Sequence, residues 1–175
     1  MENELEVLLT NRSTKEKLFS ILNSDPKEFE NAFNIALTNN QPQAWRAAWL
    51  LNQYMKKNDI RIRKKITIIL KAIKSCGDGH QREWLKVLEK MKLTEDNEGR
   101  LFDICITIWE EINKSPSVRI VAFRTIVKIV KKYPELIDEI NHLTDSHYTE
   151  SLSPGIKNSF NHLTNSLKVN RNKQE

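Results

Sequence analysis

The sequence predicts an all-α protein built from consecutive helical hairpins, and three observations predict that fold class. Apolar residues recur at spacings of four, three and four in the set Ile62, Ile66, Ile69 and Ile73. This spacing places them on one face of a helix. No segment alternates apolar and polar residues over the length of a strand. Glycine and proline are scarce, with 4 and 5 in 175 residues, whereas a many-turned β-sandwich needs more of both.

Prolines indicate where the helices begin, because a proline in the first helical turn removes an N–H group that has no partner there. The five prolines are Pro26, Pro42, Pro116, Pro134 and Pro154. Three of them follow residue types that cap helices well, namely Asp25, Ser115 and Ser153. With the apolar periodicity, these starts predict helices over residues 13–23, 25–38, 41–57, 59–75, 80–92, 95–114, 116–132, 134–146 and 154–168.

Basic residues recur at a nearly constant interval along these helices. Successive members are separated by 36, 37 and 38 residues, and the set is Arg46, Arg82, Arg119 and Lys157. Each lies near the start of the second helix of a predicted pair. A period of this size indicates an array of two-helix repeats.

The third copy of this pattern resembles a known repeat family. Pro116, Val118, Arg119 and Ala122 match P-x-V-R-x-x-A, which is similar to the second helix of a HEAT or armadillo-like repeat. The resemblance spans residues 25–168. It implies a right-handed α-solenoid with repeats over about 25–57, 59–92, 95–132 and 134–168. Helix 13–23 would be an N-terminal cap and residues 169–175 a polar tail, all within a single domain, 1–175.

The regular basic column has two interpretations. The cations could form a ladder that grips phosphates or an acidic peptide. Alternatively, each could bond a carboxylate or carbonyl of a neighbouring turn. Helical angles favour the structural interpretation, since Arg119 lies near the edge of the apolar stripe that contains Val118, Ala122 and Ile126, and a cation there lays its stem on the core.

Other residues are better candidates for a binding surface. The net charge of +5 conceals a basic stretch, 56–74, and an acidic stretch, 95–111. Trp49 and Tyr54 would mark a groove if they are exposed, although the tryptophans in general are expected to be interhelical core. The candidate surface is Arg61, Lys64, Lys65, Arg124, Lys128, Lys131, Trp49 and Tyr54. Its alternative interpretation is a set of solvated helix faces.

The sequence contains none of the compact motifs of catalysis or cofactor binding. GxSxG, P-loop and GxGxxG patterns are absent, and we expect no enzyme activity, no cofactor and no metal. The near-identical hexapeptides 141–146 and 161–166 could bring His142 and His162 together in a metal site. We interpret them instead as a chance similarity within the repeat.

Composition also predicts a location. The N-terminus is acidic, no apolar run approaches the length of a membrane span, and Cys76 and Cys105 stand far apart. These features predict a cytoplasmic protein with two reduced thiols and no membrane partner.

Three functions remain open. The leading hypothesis is a non-enzymatic scaffold that binds a protein or peptide. The second is DNA binding through basic helix faces, as in some bacterial HEAT-like proteins that recognise damaged DNA. Base excision is not expected, because only a faint echo of their aromatic-then-aspartate motif occurs, at residues 108–111. A small-ligand or metal enzyme ranks third.

Overall fold

A computed structural model describes residues 4–11 and 13–171, with side chains up to residue 167. Within these residues the chain forms helices and no strand, which confirms the all-α class. The chain divides into two compact units, Met1–Leu93 and Thr94–Glu175. This boundary falls between the second and third predicted hairpins, and the single domain over 1–175 stays a prediction. No helix in the described part of the chain has the length and apolar character to cross a membrane.

The first unit is a set of helices packed around α4. Its helices are α1 (Glu4–Thr10), α2 (Lys15–Ser24), α3 (Pro26–Leu37), α4 (Gln43–Tyr54), α5 (Ile60–Arg63), α6 (Ile66–Ala72), a 3₁₀ helix (Ile73–Ser75) and α7 (Asp78–Glu89). Helix α4 packs against both α3 and α7, and α1 and α2 pack onto α3 and α4. Phe29, Phe33 and Leu51 are almost fully buried between them.

Local sequence explains where several of these helices start. Asp25 caps α3, since its carboxylate accepts a hydrogen bond of 2.8 Å from the Lys27 N–H, and Pro26 occupies the first turn. Thr14 caps α2 in the same way, through the Lys17 N–H. A side-chain acceptor at the cap satisfies an N–H that has no partner within the helix.

One prediction about the first unit was wrong, and one helix was missed. The predicted helix 59–75 is interrupted after α5, where the Lys65 N–H bonds the Ile62 carbonyl in a tight turn before α6 begins. The apolar face survives this break, since Ile62 and Ile73 are both fully buried. The predicted N-terminal helix 13–23 is α2, and sequence reasoning missed α1 before it.

The second unit is organised around α9. Its helices are α8 (Glu95–Glu110), α9 (Pro116–Lys132), a 3₁₀ helix (Pro134–Thr144), α10 (Ser146–Thr149) and α11 (Pro154–Arg171). Helix α9 packs against α8, α11 and the 3₁₀ helix. Trp109 lies at the centre, where its ring is 4.5 Å from that of Phe123 and stacks at 5.3 Å on that of Phe160.

The predicted α-helix over 134–146 was also wrong, because most of this segment is 3₁₀. Ile137, Ile140 and Leu143 recur at a spacing of three, which suits the three residues per turn of a 3₁₀ helix. Helix 95–114 was predicted too long: α8 ends at Glu110, and Ile112 is 39% exposed. The predicted tail, 169–175, lies largely outside the described residues.

Arg119 is fully buried in the second unit and has no carboxylate partner among the described residues. Its Nε donates to the Trp109 carbonyl at 3.0 Å and its Nη2 to the Tyr148 carbonyl at 2.7 Å. The guanidinium also lies 4.7 Å from the centre of the Trp109 ring. Burial lowers the pKa of this guanidinium. Arg119 therefore ties the end of α8 to the α10 segment.

His80 makes a comparable connection in the first unit. This side chain, on α7, is 2% exposed. Its Nε2 lies 2.9 Å from the Ala36 carbonyl, so this nitrogen carries the proton, and Nδ1 accepts from the Gln41 amide at 3.3 Å. A neutral imidazole satisfies both contacts. Burial is the main cause that lowers the pKa of His80.

Replacing Arg119 by methionine is expected to destabilise the protein. The buried carbonyl of Trp109 and the partly buried carbonyl of Tyr148 lose their donors, at about 1–3 kcal/mol for each buried group. Relief of the desolvation of the cation offsets part of this loss. We expect the free energy of unfolding to fall by about 2 kcal/mol in urea titrations. Arg100→Gln is the control, because Arg100 forms only an exposed i,i+4 pair with Asp96, and its effect should stay within about 0.5 kcal/mol. Equal stabilities of R119M and R100Q would contradict a structural role for Arg119.

The stability of the protein should fall as the pH drops below about 6.5. The unfolded chain binds a proton at His80 near the ordinary value of 6.5, whereas the folded chain resists it. The contribution of His80 to the free energy of unfolding is therefore fully present above about pH 6.5. It decreases as the pH falls from about 6.5 to the lower pKa that His80 has in the folded protein, by at most about 1.4 kcal/mol per pH unit. The slope between about pH 7 and 5.5 should be smaller in His80→Gln and unchanged in His162→Gln, an exposed histidine. A slope of wild-type size in H80Q would refute this assignment.

Candidate functional site

An apolar pocket opens on the surface of the first unit, where α1, α2 and α4 meet. It has a volume of about 330 Å³, at the lower end of the range for binding pockets in proteins. Its lining is mainly aliphatic and aromatic, with one cation, and consists of Leu8, Leu9, Ser13, Leu18, Trp45, Arg46 and Trp49.

Two tryptophans form the aromatic part of this lining. Trp45 and Trp49 are four residues apart on α4, so they lie on the same side of the helix, and both are partly exposed. The other two tryptophans, Trp84 and Trp109, are fully buried. The expected core role thus describes Trp84 and Trp109, whereas Trp45 and Trp49 face a cavity open to solvent.

Arg46 is held in place at the side of the pocket by the end of α1. Its Nη1 donates to the carbonyls of Leu9 and Thr10, at 2.5 and 2.8 Å. These carbonyls lie in the last turn of α1 and have no partner within the helix. The guanidinium lies 5.6 Å from the centre of the Trp45 ring. Arg46 forms no ion pair with any described residue.

The other members of the basic column have different partners. Arg119 bonds two carbonyls, as described above. Arg82 Nε donates to the carboxylate of the fully buried Glu83 at 3.0 Å, and this carboxylate also accepts from Lys86 and from Asn52. The Lys157 ammonium makes no contact of this kind with the described residues.

Two of the predicted surface cations on the first unit are paired within the protein. Arg61 makes a two-point contact with the Asp59 carboxylate, at 2.9 and 2.7 Å, and stacks 3.6 Å from the centre of the Phe29 ring. This hydrogen bonding lowers the pKa of the Asp59 carboxyl. Lys65 pairs with Glu30. Lys64 is exposed.

Tyr54 lies at the end of α4 and bonds within the unit. Its hydroxyl is 2.7 Å from Asn23 Oδ1, and its ring packs edge-on against Phe19 at 5.3 Å. Of the two predicted aromatic candidates, Trp49 lines the pocket described above, and Tyr54 is not part of its lining.

The remaining predicted cations lie on α9 in the second unit. Arg124, Lys128 and Lys131 are all exposed, on the face of α9 that the spacing predicts. These three cations belong to the second unit, whereas Arg61, Lys64 and Lys65 belong to the first.

The histidines and cysteines of the described residues assemble no metal site. No group of three or more His, Cys, Asp and Glu side chains is close enough to hold an ion within residues 4–11 and 13–167. His142 Nε2 lies 3.2 Å from Glu110 Oε1, and His162 is exposed. Burial raises the pKa of the Cys76 thiol to about 11, which keeps it protonated.

Sequence reasoning missed most of the pocket. It assigned Arg46 to structure and did not connect Trp45 with Trp49. The signal that could have found the site is the pair of tryptophans at a spacing of four with an arginine between them. The leucines of α1 and α2 are too far away in sequence to be associated with this pair.

Comparison with known proteins identifies the repeat family but no individual relative. No curated protein and no solved structure matches the chain. A family model described as a HEAT repeat domain matches residues 1–167, which covers both units. This match confirms the resemblance read from Pro116 to Ala122 and the α-solenoid class that it implied. The chain belongs to the HEAT repeat domain family.

Proposed function

We propose that this protein is a non-enzymatic scaffold that binds a protein or peptide on the surface of its helical hairpins. HEAT repeats generally serve as protein-interaction scaffolds, and they are typically non-catalytic. The observation that carries the proposal is the open pocket with Trp45, Trp49 and Arg46 in its lining. Tryptophan and arginine are the residue types most enriched among residues that dominate binding energy at protein interfaces.

The exposed basic face of α9 supports a second candidate, DNA binding without base excision. Arg124, Lys128 and Lys131 present positive charge along one side of a single helix. Phosphate contacts of this kind supply affinity without sequence specificity. This candidate ranks lower because Arg61 and Lys65 pair with carboxylates, and Arg124 and Lys128 also interact with other groups of the protein.

We also propose a cytoplasmic location. Cys76 and Cys105 are both buried, and neither forms a disulfide. Thiols held in this state are typical of proteins in a reducing compartment.

The scaffold proposal predicts that the immobilised full-length chain retains a specific protein from a lysate of its native host. Quantitative mass spectrometry should show the same protein enriched in repeated captures, relative to blocked beads that carry no protein. Repeated captures that recover no protein above this control would contradict the scaffold proposal.

The DNA proposal predicts a steep dependence on salt. The affinity for a short duplex should fall markedly between about 50 and 200 mM salt, because each phosphate contact releases counterions. Lys131→Gln should reduce the slope by about one, whereas Lys74→Gln, which removes an exposed cation from the first unit, should leave it unchanged. An affinity that does not vary with salt would eliminate this candidate.

A further inference from the structure

The guanidinium of Arg46 uses only part of its hydrogen-bonding capacity within the protein. Nη1 donates to two carbonyls of α1. Nε and Nη2 have no partner among the described residues. An arginine carries five N–H donors, and Nε together with Nη2 forms a planar fork that matches the two oxygens of a carboxylate. The contacts with α1 immobilise the group and leave this fork available.

The rest of the lining favours an apolar group. Leu8 and Leu9 of α1 and Leu18 of α2 form the aliphatic part of the wall, and Trp45 and Trp49 form the aromatic part. Leu8, Leu9 and Leu18 are held in the hydrophobic core of the unit, with at most 6% of their surface exposed. The leucine part of the wall is therefore preformed, so binding costs little entropy for ordering these side chains.

From this combination we propose that the pocket binds an acidic peptide segment of a protein partner. A bulky apolar side chain of the peptide enters between Trp45, Trp49 and the leucines. A carboxylate on a neighbouring residue of the peptide pairs with the Nε and Nη2 groups of Arg46. This inference rests on the scaffold proposal and names the chemistry of the partner.

Charge complementarity and size argue for this occupant. Arg46 lines an apolar pocket without a carboxylate partner among the described residues, and a half-buried cation gains most from a partner that shields it from water. A cavity of about 330 Å³ that is open to solvent takes a large side chain and leaves the peptide backbone outside. An aromatic guest would add favourable aromatic contacts with the two tryptophans of the lining.

The test uses the full-length protein and a fluorescein-labelled peptide of sequence Gly-Ser-Glu-Phe-Glu-Ser-Gly, followed by fluorescence anisotropy. We expect saturable binding. Replacing both glutamates by glutamine should weaken it at least about tenfold, the loss typical of a charged hydrogen bond. Replacing the phenylalanine by serine should have an effect of similar size. These comparisons leave the protein unchanged, so they do not depend on how a variant folds.

Matched protein variants locate the site. Trp49→Glu introduces a carboxylate into the pocket and should weaken binding of the glutamate peptide at least about tenfold. Ile60→Glu places the same charge at an apolar residue that is 72% exposed and outside the pocket, and should have no effect. Arg46→Lys keeps the charge but removes the fork, and should weaken binding several-fold. Lys157→Gln, at the corresponding position of the fourth repeat, should leave the affinity for the peptide unchanged.

Several outcomes would overturn the inference. These are no binding of the peptide, equal affinity for all three peptides, or equal affinity of the W49E and I60E variants. Capture of a host protein by wild type and W49E alike would overturn the pocket assignment and leave the scaffold proposal intact. Failure of wild type to capture any protein would contradict the scaffold proposal instead.

Discussion

The carbonyl groups at the ends of buried helices must find donors, and much of this structure depends on how they do so. The last four carbonyls of a helix have no partner within it, and a buried carbonyl without a hydrogen bond costs free energy. Here the donors come from the early turns of second helices. Arg46 of α4 bonds the end of α1, His80 of α7 bonds the end of α3, and Arg119 of α9 bonds the end of α8. Each contact therefore connects two helices that apolar packing alone would hold less specifically.

The same constraint produces the candidate binding site. Because Arg46 bonds the end of α1, this short helix is held against α4, and Leu8 and Leu9 become part of a wall next to two tryptophans. One edge of the guanidinium is used in that contact and the other is not. A residue that stabilises the fold can thus also present donors to a partner. In the second unit, both Nε and Nη2 of Arg119 are used internally, so the equivalent position there offers no such fork.

Some cations that the sequence suggests for a binding surface form ion pairs within the protein. Arg61 pairs with a carboxylate two residues away, and Lys65 with one that is 35 residues away in sequence. The first pairing follows from the capping role of Asp59 at the start of α5. The second depends on how two helices pack. The spacing of cations on one helix indicates a face, but it does not reveal whether acidic groups of another helix neutralise that face.

The sequence by itself determined the helical class and most helix starts, because these follow from local preferences and apolar spacing. Pro26 and Pro116 indicate starts that the structure confirms, since α3 and α9 begin at these residues. Only the tertiary structure decided which cations bond other groups of the protein and which tryptophans face solvent. Both outcomes depend on contacts between residues such as Arg46 and Leu9, 37 positions apart. Helical periodicity reports the face on which a side chain lies, whereas its burial and its partners depend on which other helix covers that face.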